Sequence, residues 1–181
     1  LCPDVAFAGI PPADGYMAGY VVMPEDFVFP LPEELDYTSG TLIEPLSIGL
    51  MATREGGVQI GHSVAIFGSG PIGLTTLLAA RARGATRIFV VDIVPNRLEA
   101  ALRFGADEVI DARNTDPVSR ILDATKGKGV DRSLETAGSP LTTSMAVKAV
   151  KRGGTVGLVG IVHQPEVGLD VVRIVRSAIR I

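Results

Sequence analysis

Three glycines stand in the spacing G-x-G-x-x-G, within Val64-Ala65-Ile66-Phe67-Gly68-Ser69-Gly70-Pro71-Ile72-Gly73. That spacing suits phosphate chemistry. Gly68 permits a tight turn after a short apolar run, Gly70 lets the backbone approach a pyrophosphate, and Gly73 lets the following helix pack closely on the strand. Pro71 and Ile72 open that helix. Its N-terminal N–H groups and the positive end of its dipole attract an anion without any charged side chain.

A second strand-like run, Arg87 to Asp92, ends in an acid. Asp92 follows Gly73 at close to the roughly 20-residue spacing of a carboxylate that binds an adenosine ribose. A carboxylate there accepts from both ribose hydroxyls of NAD and repels the 2′-phosphate of NADP. Arg97, five residues on, could offer a 2′-phosphate a partner, but an exposed flexible arginine returns less than close like-charge repulsion removes. The spacing predicts a dinucleotide site that takes NAD.

The elements needed to position these residues are readable downstream of Ser63. Strands are expected near 64–68, 87–92, 107–111, 130–136 and 154–160, and helices near 71–83, 95–104, 116–126 and 140–151. This alternation predicts an α/β fold with a parallel, doubly wound (Rossmann) sheet. The strand ends of such a sheet share one crevice, so Thr136, Val159, Gly160 and Ile161 are expected to line the nicotinamide half of the site. Arg132 and Ser133 are polar where a doubly covered strand should be apolar, which predicts an exposed start to that strand or a less stable domain.

Upstream, Tyr16 to Met23 and Asp26 to Leu31 read as two strands of a β domain, and Leu35 to Gly57 reads as helical, with Pro45 beginning or kinking it. Val167 to Asp170 and the residues after it suggest one more strand. His62 and His163 sit in turns and read as surface histidines.

The chain has 181 residues, 46% of them apolar and 20% charged, with a net charge of −3. Those values describe a folded domain and argue against a nucleic-acid or anionic-lipid partner. No apolar run reaches the roughly 18 to 20 residues needed to cross a bilayer. Cys2 is the single cysteine, so no internal disulfide can form.

The order of motifs resembles that of the medium-chain zinc-dependent dehydrogenases, and within them the sorbitol, xylitol and related polyol dehydrogenases. The resemblance runs through Leu1-Cys2-Pro3, Pro11-Pro12-Ala13-Asp14-Gly15, Asp26 to Pro32, Leu42-Ile43-Glu44-Pro45-Leu46-Ser47-Ile48-Gly49 and the glycine motif. It implies a remnant of a zinc-bearing, GroES-like catalytic domain over 1–45 and an NAD-binding domain over 46–181, the middle and cofactor portion of a longer protein. It implies a polyol substrate, oxidation of a secondary alcohol to a ketose, a cytoplasmic address and a homodimer or homotetramer joined near Val167, Leu169 and Val171.

The same resemblance places Glu44 at a catalytic zinc, as ligand or bonded to the metal's water, since zinc can keep a buried carboxylate ionised. On residue type alone Glu44 suits a solvated helix start better than a metal site. Cys2 matches the last cysteine of a structural zinc site whose other three are not in this chain. Two other readings stay open: a zinc-free NADPH quinone reductase of the same superfamily, and a non-enzymatic nucleotide-binding module. With these ligand sets incomplete, the purified chain is expected to carry no stoichiometric zinc, and elemental analysis approaching one zinc per chain would contradict that expectation.

Overall fold

The computed structural model describes residues 5–164 and 166–181, so the expectation for Cys2 lies outside the described residues. The chain divides into two units, Leu1–Gly40 and Thr41–Ile181. The division falls ahead of the expected 45/46 boundary because residues 43–45 already belong to a helix of the second unit.

In the first unit almost every described residue is exposed. A 3-10 turn, Glu25–Phe27, and a short helix, α1 (Tyr37–Gly40), are its regular elements among the described residues. The strands expected over 16–23 and 26–31 do not form. A strand is held by a ladder to a neighbour, and the described residues of this unit supply none to pair with.

The helical stretch expected over 35–57 is two helices, α1 and α2 (Ile43–Glu55). Pro45 lies in the first turn of α2, where a backbone N–H has no intrahelical partner, so the ring is accommodated without a break.

The second unit holds β1 (Ser63–Phe67), β2 (Arg87–Asp92), β3 (Glu108–Asp111), β4 (Val130–Glu135) and β5 (Val150–Leu158). They form one parallel sheet in the order β3-β2-β1-β4-β5. Between them run α3 (Pro71–Ala82), α4 (Pro95–Arg103), α5 (Pro117–Ala124) and α6 (Pro140–Ala149), each opening on a proline whose fixed φ and missing N–H suit a first helical position. The doubly wound fold expected from the sequence is therefore present. Its strand order reverses between β1 and β4, which opens a crevice at their carboxyl ends.

Alternation along β1 builds a core on each face of the sheet. Val64 and Ile66 pack with Leu77 of α3, Ala101 of α4 and Leu134, while Ala65 and Phe67 pack with Ile121 of α5 and with Ala146 and Val147 of α6. All four of those β1 residues are fully buried.

The polar pair in β4 does not expose the strand, although the buried Ser133 hydroxyl has no hydrogen-bond partner among the described residues. Ser133 is buried, and the Arg132 guanidinium leaves the sheet to donate to the Gly57 carbonyl at 2.8 Å. Its neighbour Asp131 accepts from the Ser63 amide at 2.8 Å and hydroxyl at 2.7 Å and pairs with Lys151, tying the starts of β1, β4 and β5. Burial opposes charge on Asp131, but Lys151 and the Ser63 bonds outweigh it and hold the carboxyl down to about 2. His62 is half-buried, its Nδ1 accepting from the Gln59 amide, and burial together with the Arg132 charge lowers its pKa.

No sixth strand forms over 167–170. Leu169 instead packs on the core, and Asp170 caps a helix, α7 (Val171–Arg176), accepting from the Arg173 amide at 2.9 Å. The Arg173 side chain holds α7 in place by donating to the Val147, Lys148 and Val150 carbonyls at the end of α6. The only pairing beyond β5 among the described residues is a single bridge, Thr155 to Arg180.

Helices α2 and α3 cross at backbone contact. A Cβ on Gly49 would stand 2.6 Å from the Thr75 carbonyl carbon, and Thr75 Oγ1 donates to the Pro45 carbonyl at 2.9 Å. Gly49→Ala is expected to destabilise the unit by about 1–3 kcal/mol through overpacking. Gly168→Ala, with nothing within 4 Å, should leave Tm nearly unchanged. Equal melting temperatures for G49A and the wild type would contradict the close crossing.

Candidate functional site

The carboxyl ends of β1, β2 and β4 bring the glycine motif, Asp92 and Thr136 into one crevice. Where β1 stops, the Gly68 amide donates to the Val91 carbonyl at 2.8 Å, and the Thr136 amide donates to the Phe67 carbonyl at 2.8 Å. The chain then turns through Gly68 and enters α3.

The three glycines are there for different reasons. Gly68 has φ +105°, and a Cβ on it would meet the Ala137 amide at 2.9 Å. A Cβ on Gly73 would lie 2.0 Å from the Gly68 carbonyl oxygen. Gly70 has φ −68° and ψ −172°, open to any residue, and a Cβ on it would meet nothing within 4 Å. Intrachain packing therefore requires glycine at 68 and 73 and leaves 70 unexplained from within the chain.

Gly70 is the N-cap of α3, and no side chain caps that helix. The first-turn N–H groups of a helix have no intrahelical partners, and the space beside Gly70 is open, an arrangement that fits an anion such as a pyrophosphate.

Asp92 is buried at the end of β2, and its carboxylate shapes this turn. Oδ2 accepts from the Ser69 amide at 2.7 Å and from the Ser69 hydroxyl at 3.0 Å. Oδ1 accepts from the Ile93 amide at 2.7 Å and the Val94 amide at 2.9 Å. Burial opposes its charge, but the Ser69, Val94 and Ile93 amides and the Ser69 hydroxyl together hold its pKa below the usual carboxylate range.

On the other side of the crevice, Thr136 Oγ1 lies 3.0 Å from both the Phe67 and Gly68 carbonyl oxygens, sharing its proton between them. Glu135 is fully buried; its Oε1 accepts from the Ala137 and Gly138 amides, each at 2.9 Å, and from the Thr142 hydroxyl at 2.7 Å. Its carbonyl accepts from the Val159 and Gly160 amides at 2.8 and 3.0 Å. The loops after β4 and β5 are so close that a Cβ on Gly160 would lie 2.2 Å from the Gly138 nitrogen.

Of the residues expected to form the site, Gly68, Gly70, Pro71, Ile72, Gly73, Asp92 and Thr136 gather at the crevice. Val159 and Gly160 join them through Glu135, while the Ile161 side chain is exposed. Arg97 is exposed in the first turn of α4, without an ion pair among the described residues. Glu44 is exposed in the first turn of α2, where its carboxylate has no hydrogen-bond partner among the described residues. No group of three or more His, Cys, Asp or Glu side chains that could hold a metal occurs among the described residues.

Two contributors carry no signal in the sequence spacing. Ser69 occupies a free position of the motif, and its hydroxyl reaches Asp92 only through the fold. Glu135 ends β4 like any strand residue, and its burial and its grip on two loops are tertiary facts.

Comparison with known proteins adds the following. Residues 71–181 match the family model described as zinc-binding dehydrogenase. The chain is 44% identical over 171 residues to a sorbitol dehydrogenase of Bacillus subtilis, covering 94% of this chain and 48% of the relative. It is 40% identical over 166 residues to sorbitol dehydrogenase 1 of Saccharomyces cerevisiae, covering 88% and 46%. The chain thus spans about half the length of the curated relatives it matches. Among solved structures, an Escherichia coli oxidoreductase of unknown specificity superposes with a TM-score of 0.92 at 36% identity, over 99% of this chain and 52% of that one. A zinc-binding dehydrogenase of Sinorhizobium meliloti bound to NADP superposes with a TM-score of 0.87 at 33% identity, over 93% and 50%.

Asp92→Asn replaces an acceptor oxygen with an amide that faces fixed N–H donors. Because the folded pKa is lowered, the stabilisation from Asp92 is fully present above the unfolded value of about 3.9 and is lost as pH falls through the folded value. D92N is therefore expected to lower Tm at pH 7, by about 1–3 kcal/mol of stability, with the difference from wild type narrowing below about pH 4. Thermal melts showing a pH-independent difference would contradict this.

Proposed function

The chain belongs to the zinc-binding dehydrogenase family, and on that footing we propose that it is the NAD-binding portion of an enzyme that oxidises a secondary alcohol of a polyol to a ketose. The observation that carries the proposal is Gly70: a glycine that neither backbone conformation nor packing requires, set at an uncapped helix N-terminus. A pyrophosphate seated there explains the glycine, since any side chain would stand where the phosphate approaches.

In this reading the Ile72 and Gly73 amides receive the pyrophosphate, and Asp92 takes the adenosine ribose. Thr136 and the loop containing Val159, Gly160 and Ile161 flank the nicotinamide, which supplies the hydride acceptor when bound. Asp92 favours NAD, because its buried charge stands where a 2′-phosphate would lie; Arg97, which is exposed, flanks the adenosine. The polyol class follows the names of the sorbitol dehydrogenases the chain resembles.

Zinc is assigned to the whole protein. Glu44 is the residue of this chain we place beside it, as ligand or bonded to the metal's water. The described residues do not complete a zinc site, and no step is derived through one. The same reading carries an assembly of two or four copies, for which the exposed Val171, Val172 and Val175 of α7 offer apolar surface.

Titration of the chain with NADH and NADPH, followed by nicotinamide fluorescence, is expected to show tighter binding of NADH. Gly70→Ala should weaken NADH about ten-fold or more, equivalent to ~1.4 kcal/mol, while keeping the wild-type Tm. Equal or reversed cofactor preference would contradict the role of Asp92, and undiminished NADH binding by G70A would contradict the phosphate seat.

A further inference from the structure

The Asp92 carboxylate is saturated. A carboxylate offers about four acceptor positions, and four donors already occupy it: the Ser69 amide and hydroxyl on Oδ2, and the Ile93 and Val94 amides on Oδ1. A ribose hydroxyl that bonds Asp92 must therefore displace one of them.

Three of the four are backbone N–H groups, fixed by the strand end and the glycine turn. The fourth, the Ser69 hydroxyl, turns on a single side-chain torsion. Ser69 is fully buried, so a hydroxyl that releases Asp92 has no direct access to solvent in exchange.

We propose that Ser69 sets the affinity for the adenosine ribose by competing with it for Asp92, an inference that rests on the nucleotide reading above. In the free chain the hydroxyl occupies the acceptor position the ribose needs. Binding exchanges one hydrogen bond for another and leaves the serine hydroxyl with a poorer partner. Removing the hydroxyl frees the acceptor in advance, so the ribose bond is gained outright.

Ser69→Ala is expected to lower the Tm of the free chain slightly, yet to tighten NADH and ADP-ribose by about three- to ten-fold, the worth of one hydrogen bond. Reduced nicotinamide mononucleotide, which lacks the adenosine ribose, should bind wild type and S69A equally. The rise in Tm produced by saturating NADH should correspondingly be larger for S69A. A serine that merely stiffens the turn would lower Tm and leave or weaken affinity.

The measurement is calorimetric titration of wild type and S69A with the three nucleotides. Tighter NADH and ADP-ribose with unchanged mononucleotide affinity supports the competition. NADH binding to wild type with equal or weaker binding to S69A overturns the competition alone. Absence of NADH binding by both chains overturns the nucleotide reading and the competition with it.

Discussion

The crevice depends on the four hydrogen bonds that the Asp92 carboxylate accepts at the end of β2. Burying a charge is unfavourable unless it is fully bonded, and bonds to a charged acceptor contribute roughly 1.5–3 kcal/mol each. Two of those bonds come from Ser69, between Gly68 and Gly70, so the end of one strand fixes the turn that follows its neighbour. The Gly68–Gly73 turn is thereby held in one shape before any ligand arrives, which reduces the ordering needed on binding.

The opposite wall is set by two side chains of β4 and its loop. Thr136 binds the carbonyls of Phe67 and Gly68 from above, so the glycine turn is gripped from both neighbouring strands. Glu135 then aligns the Ala137–Gly138 and Val159–Gly160 segments by its carboxylate and its carbonyl. Gly138 and Gly160 permit the loops after β4 and β5 to touch, so this wall of the crevice is built from two loops in contact. The site is a product of strand order, because reversal of that order between β1 and β4 leaves room above their ends.

Much of this unit was legible in the sequence because its signals are local. Short apolar runs marked β1 and β2, prolines and glycines marked the helix ends, and the glycine motif with Asp92 marked the crevice. What was not legible needed partners distant in the chain. The runs at 16–23 and 26–31 have strand-like composition but no neighbour to pair with among the described residues, and the segment after Val167 became a helix because Asp170 caps it and Arg173 reaches back to α6. The polar Arg132 and Ser133 suggested an exposed strand start or a less stable domain; Gly57 supplies the guanidinium with a carbonyl, while the Ser133 hydroxyl is buried without a partner among the described residues. Ser69 was visible only as a letter between two glycines.

The central claim is that the amides opening α3 receive the pyrophosphate while Asp92 receives the adjoining ribose. Amide chemical shifts from two-dimensional NMR, followed as ADP-ribose is added to the chain, address it most directly. The account predicts saturable shifts confined to Ser69, Gly70, Ile72 and Gly73 and to Ile93 and Val94, with the amides of α5 and α7 unmoved. Shifts that leave residues 69–73 untouched, or that centre on another surface of the unit, would contradict it.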